Sequence, residues 1–235
     1  MAIPLTKAIA SRSSYSRRQA EALIRAGAVM INGRRARLGE GVEEKDRLVV
    51  KGRELAAARG EIYIKVNKPK GYTCTNRSFP GEKNIFSLVK IPTRLFCVGR
   101  LDKDSQGLVL LTNDGDLSQK LAHPRYEHGK VYEVRVRGKV TDGRSIVKQL
   151  MKGVDLGEGD GLGRARAGEY LQNGFFIITL SEGKKRQIRR MFQTLNLEVI
   201  DLKRTALAGL ELGDIKTGRW AYLDKGEINK LKDKV

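Results

Sequence analysis

The 235-residue sequence contains no run of eighteen or more apolar residues, so nothing in it predicts a membrane-spanning helix. Its first residues lack the apolar core and small-residue cleavage pattern of a secretory signal, which places the expected protein in the cytoplasm. Cysteine is scarce: Cys74 and Cys97 lie far from any CxxC spacing, and only His123 and His128 are at hand as nitrogen ligands. A disulfide framework and a structural zinc site are both excluded on that count, and the two thiols are read as buried or half-buried. Acidic side chains are also few beside basic ones, 27 against 46, for a formal net charge of +19. Excess charge of that size favours a polyanionic partner, because each neutralised phosphate releases condensed counterion. Nucleic acid is the expected partner.

What is present divides the chain in two. Leu5, Ala8 and Ile9 recur at helical spacing. Ser16 and Gln19 then form a capping-box pair ahead of Ala20, Leu23 and Ile24, with Gly27 where a helix would stop. Val29 and Ile31 alternate before an Asn32-Gly33 turn, and Leu48-Val49-Val50 reads as a further strand. These elements predict a small α+β domain over residues 1–59, carrying 13 basic and 6 acidic side chains. Residues 56–60, with their run of alanines, read as a linker, and Ile62-Tyr63-Ile64-Lys65-Val66 opens a second domain over 60–235. There, strands around 108–111, 131–136 and 175–180 alternate with short helices around 117–121, 146–151 and 187–195. That order predicts a mixed, mainly antiparallel sheet flanked by helices, and an α+β chain throughout. The lysine-rich stretch from Lys225 onward reads as frayed or helical surface.

Three stretches carry residues suited to chemistry. In Gly99-Arg100-Leu101-Asp102, extended geometry would put Arg100 and Asp102 on one face and Leu101 in the core. A neighbouring cation favours the ionised carboxylate, which can serve as nucleophile or base, although Arg-x-Asp often marks only a structural ion pair. Lys103, Gln106 and Gly107 follow, residues able to build a loop close to a ligand. Residues 183–192 hold Lys184, Lys185, Arg186, Arg189 and Arg190 beside an apolar stripe of Ile188, Met191 and Phe192. Cations at a helix N-terminus oppose its dipole by roughly 0.3–1 kcal/mol each, a sign that a bound phosphate would reverse. In Lys130-Val131-Tyr132-Glu133-Val134 the neighbours leave the face of Tyr132 open, and spacing alone favours a core residue over a catalytic one. Asp114 and Asp116 read as turn plus helix cap rather than a metal site, and no metal is expected.

Taken together, Gly99-Arg100-Leu101-Asp102-Lys103-Asp104-Ser105-Gln106-Gly107, Lys130-x-Tyr132-x-Val134 and Gly183-Lys184-Lys185-Arg186-Gln187-Ile188-Arg189-Arg190-Met191-Phe192 resemble the RsuA, RluB, RluE and RluF type of pseudouridine synthase. The two helices, the Gly-Ala-Val-Met-Ile-Asn-Gly hairpin entry and the basic rim of residues 3–50 resemble an S4 RNA-binding domain. The resemblance implies isomerisation of a specific uridine without a cofactor, with large-subunit (23S) ribosomal RNA favoured and small-subunit ribosomal RNA or transfer RNA as alternatives; a monomer is the default expectation. It makes Asp102 the essential carboxylate, Tyr132 the residue packed on the base, and Arg189 the partner of Asp102. Contacts to RNA are expected from Arg17, Arg18, Arg34 and Arg35, from Lys68, Arg100 and Lys103, and from Lys185, Arg186 and Arg190. Two other readings stay open: an RNA-binding assembly factor without turnover, and a magnesium-dependent RNA hydrolase built on Asp114 and Asp116.

Overall fold

The computed structural model describes residues 2–57, 60–76 and 79–234. Ala58 and Arg59, part of the expected linker, lie outside the described residues, as does Val235. The chain separates into two compact units, Met1–Glu61 with Ile91–Leu95, and Ile62–Lys90 with Phe96–Val235.

In the first unit, α1 (Leu5–Arg12) buries Leu5, Ala8 and Ile9, and α2 (Arg17–Arg25) buries Ala20 and Ile24. Helix α2 begins at the capping box predicted from the sequence: the Ser16 side chain accepts from the Gln19 backbone N–H, and Gln19 accepts from the Ser16 backbone N–H. Each half satisfies a donor that the helix start would otherwise orphan. Strands β1 (Val29–Ile31), β2 (Arg34–Arg35), β3 (Leu48–Val50) and β4 (Arg53–Glu54) form a sheet in the order β2-β1-β3-β4. The β1–β2 hairpin turns on Asn32 and Gly33, both at positive φ, the geometry that matches the twist of paired strands. Val29, Ile31, Leu48 and Val50 meet the buried helix faces in one small core.

The second unit is built on a nine-stranded sheet. Its strands are β5 (Tyr63–Lys68), β6 (Phe96–Val98), β7 (Gln106–Thr112), β8 (Lys130–Arg137), β9 (Ala167–Gln172), β10 (Phe175–Leu180), β11 (Glu198–Leu207), β12 (Leu210–Glu211) and β13 (Trp220–Tyr222). The order is β9-β10-β8-β11-β7-β5-β13, with β6 paired to β7 and β12 to β11. Only the β7–β11 pairing is parallel, so the sheet is mixed and mainly antiparallel. Helices α3 (Gly115–Ala122), α4 (Gly143–Lys152), α5 (Gln187–Thr194) and α6 (Lys225–Lys232) accompany it. Leu108, Leu110, Leu117, Leu121, Leu207, Leu210 and Leu231 share one core, while Phe176 meets Tyr170 and Phe192 at ring separations of 4.9 and 5.1 Å. The lysine-rich end is helical, started by an Asp224–Glu227 capping box and anchored by the buried Leu231.

One long element is absent from the sequence pattern. Strand β11 lies between β7 and β8, yet Asp201, Lys203, Arg204 and Thr205 interrupt any clean alternation along it. Two register shifts in its pairing with β8 put its buried residues, Val199, Leu202, Arg204 and Leu207, out of strict alternation, and Arg204 belongs to the site described next.

Candidate active site

The site is a row of neighbours across four strands. Tyr132 on β8 pairs with Arg204 on β11, Arg204 with Gly107 on β7, and Gly107 with Lys68 on β5. Residues opposite one another on adjacent strands project from the same face, so these side chains share one surface of the sheet. Tyr132 falls on the inward side of its strand with Val134 and Val136, settling the face that spacing alone left open. Gly107 is required by the crowding: a Cβ there would stand 2.3 Å from the Arg204 carbonyl oxygen, and its φ of +104° is one that other residues rarely adopt. Arg204 is 1 % exposed, and its Nε donates to the Leu108 carbonyl at 2.8 Å.

Over this row lies a cavity of about 840 Å³ whose lining includes Cys74, Arg100, Asp102, Lys130, Tyr132 and Arg204. Asp102 enters from the loop between β6 and β7, where its carbonyl accepts the Ser105 N–H at 3.1 Å and Leu101 is buried beneath, as extended geometry anticipates. The expected contact between Arg100 and Asp102 does not form. Among the described residues the Asp102 carboxylate has no hydrogen bond and no ion pair. Burial and the charge of Arg204 push the Lys130 ammonium below its ordinary range. Cys74 is held below the usual thiol range chiefly by a hydrogen bond with Cys97, with the charges of Lys68 and Arg204 adding to it.

The loop is braced from both sides. Arg186, the left-handed residue that starts α5, grips Asp104 at 2.9 and 3.1 Å. Arg189 donates to the carbonyls of Val199 and Asp104 at 2.7 and 3.1 Å, with Nε 3.3 Å from the Asp104 carboxylate. Partial burial raises the Asp104 carboxyl, but the hydrogen bond from Arg186 and the charges of both arginines bring it below its ordinary value. The ion pair of Arg189 is thus with Asp104 rather than Asp102, and it reaches the catalytic candidate only through the turn that both acids share.

Three residues expected to contact RNA are differently employed, the first being Arg186 through its grip on Asp104. Lys68 is fully buried, and its Nζ donates to the carbonyls of Pro69 and Tyr72 at 2.9 and 2.8 Å, so it ties the turn after β5 together. An ammonium enclosed by carbonyls is closed to a phosphate. Arg190 donates to the carbonyls of Leu156 and Gly157 at 2.9 and 2.8 Å and pairs with Asp160, clamping the 157–161 loop to α5. By contrast Arg100, Lys103 and Lys185 are exposed, Lys103 in an ion pair with Glu82. In the first unit Arg17, Arg18, Arg34 and Arg35 are all exposed, Arg34 beside Glu40. Asp114 caps α3 and accepts the Tyr63 hydroxyl at 2.8 Å, and among the described residues no group of three or more His, Cys, Asp or Glu side chains is placed to hold a metal ion. Sequence reasoning missed Arg204, because a charged residue in a strand it did not recognise carries no local signal of being buried.

Comparison with known proteins bears on the family and the fold. Residues 62–194 match the RNA pseudouridylate synthase family and residues 4–48 match the S4 domain. The ribosomal large subunit pseudouridine synthase B of Bacillus subtilis (strain 168) is 37% identical over 97% of this chain and 95% of its own length. A dual-specificity RNA pseudouridine synthase RluF from Salmonella typhi is also 37% identical, over 97% of this chain and 78% of its own. A pseudouridylate synthase of known crystal structure superposes with a TM-score of 0.69 at 31% identity, covering 97% of this chain and 99% of that one.

Proposed function

The chain belongs to the RNA pseudouridylate synthase family, and from that premise we propose that it isomerises a uridine of large-subunit ribosomal RNA, with Asp102 as the group that opens the reaction. Asp102 either attacks C1′ of the ribose or removes the C2′ proton; both need an ionised carboxylate facing the sugar. One observation carries the assignment. Asp102 is the carboxylate that lines the cavity beside Tyr132 without a partner among the described residues, while its neighbour Asp104 takes the arginines. An acid left unpaired among so many cations is available to substrate.

Tyr132 packs on the extruded base. Arg189 and Arg186 are positioning residues that hold the Asp102 turn through Asp104. Extrusion costs a few kcal/mol of lost stacking, offset by contacts from exposed cations to the RNA backbone. Arg100, Lys103 and Lys185 supply these near the cavity, and the first unit, taken as residues 1–59, supplies more through Arg17, Arg18, Arg34 and Arg35. We take the working unit to be a single chain acting in the cytoplasm, where a large-subunit ribosomal RNA substrate is met.

The test is D102N. Mapping pseudouridine in ribosomal RNA from cells lacking the protein, with wild-type or D102N supplied, should show one or more sites restored by the wild type alone. Purified D102N should lose at least about 10⁴-fold in turnover and keep RNA affinity within about threefold, since carboxylate chemistry is lost and phosphate contacts are not. Turnover near wild type would remove Asp102 from the mechanism.

A further inference from the structure

We propose that Arg204 is a catalytic residue that receives the negative charge of the uracil ring once the ring is detached from the ribose. The inference rests on the isomerase reading above and adds a substrate contact that reading does not contain.

The argument begins with an unmet bond. A guanidinium cannot shed its proton in a protein, so Arg204 is a permanent charge at 1 % exposure. Its Nε is satisfied by the Leu108 carbonyl, but Nη2 has no hydrogen-bond partner among the described residues. Burying a charged donor without an acceptor is among the costlier arrangements a fold can keep. Its neighbours differ: the Nζ groups of Lys68 and Lys130 both find backbone carbonyls. The other orphan atom among cavity-lining residues, Ser105 Oγ, is uncharged and carries a smaller cost.

Position then selects the ligand. Arg204 lies opposite Tyr132 across the β8–β11 pairing, and a Cβ on Gly99, at the start of the Asp102 loop, would be 3.9 Å from its Nη1. The guanidinium therefore spans the interval from the residue that packs on the base to the loop that addresses the sugar. Beside it Gly107 contributes no side chain. Tyr132 and Arg204 line the same cavity, so in this proposal a ring held against Tyr132 turns its carbonyl edge toward the guanidinium.

The chemistry requires such a cation whichever route Asp102 takes. The C1′–N1 bond breaks and its electron pair leaves with N1, spreading onto O2 and O4. C1′ is meanwhile bonded to the Asp102 oxygen, or joined by a double bond to C2′ after loss of the C2′ proton to Asp102. The ring then turns over about its N3–C6 axis, which exchanges N1 with C5 and O2 with O4. C5 supplies the electron pair of the new C1′–C5 bond and then loses its proton to solvent while N1 takes one up, and the carboxylate departs from C1′ or returns to C2′ the proton it took. Because that half-turn replaces one carbonyl oxygen by the other, a fixed guanidinium donates to a carbonyl before and after it. Arg204 thus stabilises the leaving group and keeps it in place while it turns.

The test compares leaving groups in the full-length protein. R204M and R204K are assayed in single turnover on an oligoribonucleotide spanning the uridine that wild type modifies, made with uridine or 5-fluorouridine at that position. Loss of the original nucleoside is the readout. Fluorine withdraws electrons and stabilises the detached ring, so it lessens the need for a cation. R204M should be slowed about 100-fold on uridine and less than about 10-fold on 5-fluorouridine, with RNA affinity within about threefold of wild type. R204K should fall between R204M and wild type in the same order, and it carries the comparison alone if R204M does not fold by its thermal melt. Equal fold losses on the two nucleosides would overturn the proposal, because a merely structural role is blind to the leaving group. D102N, assayed alongside, should be inactive on both; activity there would remove Asp102 from the mechanism while leaving the Arg204 comparison readable, whereas wild type that forms no pseudouridine from the uridine oligonucleotide would defeat the isomerase assignment itself.

Discussion

The two units of this chain carry positive charge in opposite ways. The first displays it: Arg17, Arg18, Arg34 and Arg35 are exposed around a core of small aliphatic residues. The second hides part of it, with Lys68 and Arg204 among the most deeply buried side chains of the protein. Exposed cations are cheap to keep, respond to salt and bind any phosphate backbone with little selectivity. Buried cations are expensive, and a fold retains them where they hold particular carbonyls, as Lys68 does, or where a ligand completes them. Charge excess therefore identifies the partner class, while charge burial locates the chemistry.

The largest expected effect on this contrast comes from glycine. G107A drives a Cβ into the backbone of β11 and should cost more than about 4 kcal/mol in chemical denaturation, or prevent folding. G39A in the first unit has a comparable positive φ but nothing within 4 Å of its Cβ, and should cost about 1–2 kcal/mol. Similar losses for the two would mean that the close approach beneath the cavity is not what demands glycine. Next in size is a charge test. Replacing Arg17, Arg18, Arg34 and Arg35 together by Gln should weaken RNA binding and flatten the plot of log affinity against log salt by up to about 0.9 for each phosphate no longer neutralised. The rate on saturating RNA should stay as it was. An unchanged slope would show that the first unit's arginines do not touch RNA.

The smallest effect concerns Asp104. Its carboxyl titrates below the ordinary 3.8, so its pairing with Arg186 stabilises the fold fully at neutral pH and fades as the pH falls through that depressed value. With the side chain about half exposed, screening keeps the contribution to about 1 kcal/mol or less. D104N should accordingly melt slightly below wild type at pH 7, and the two curves should converge in acid below pH 3.8. A gap that persists there would have to come from packing rather than charge. At neutral pH D104N should also slow turnover more than it weakens RNA binding, because the turn carrying Asp102 loses its anchor.

Much of this was legible in the residues. The Ser16–Gln19 capping box, the Asn32-Gly33 hairpin and the Asp114 cap are local devices whose geometry is set within four residues, and they fold as they read. Leu101 is apolar between two polar neighbours, so Asp102 is expected to face away from the core, whereas Val131, Glu133 and Val134 leave the face of Tyr132 open. Pairing partners were not legible. Arg186, Arg189 and Asp104 are as suited to one another by type as Arg189 and Asp102 are, and only the course of the loop gives Asp104 the arginines. Nor does Lys68 differ in sequence from a surface lysine, although its ammonium is closed off by the carbonyls of its own turn.

By itself the sequence determined the partner class, the local caps and turns, and the presence of Asp102 and Asp104 between Arg100 and Gly107, because these depend on composition and on contacts between residues a few positions apart. The tertiary structure decided which charges are buried, that β11 runs between β7 and β8, and that Tyr132, Arg204, Gly107 and Lys68 stand in one row. Those four residues come from segments far apart along the chain. What brings them together is the register of strand pairing, a property no short stretch of chain contains.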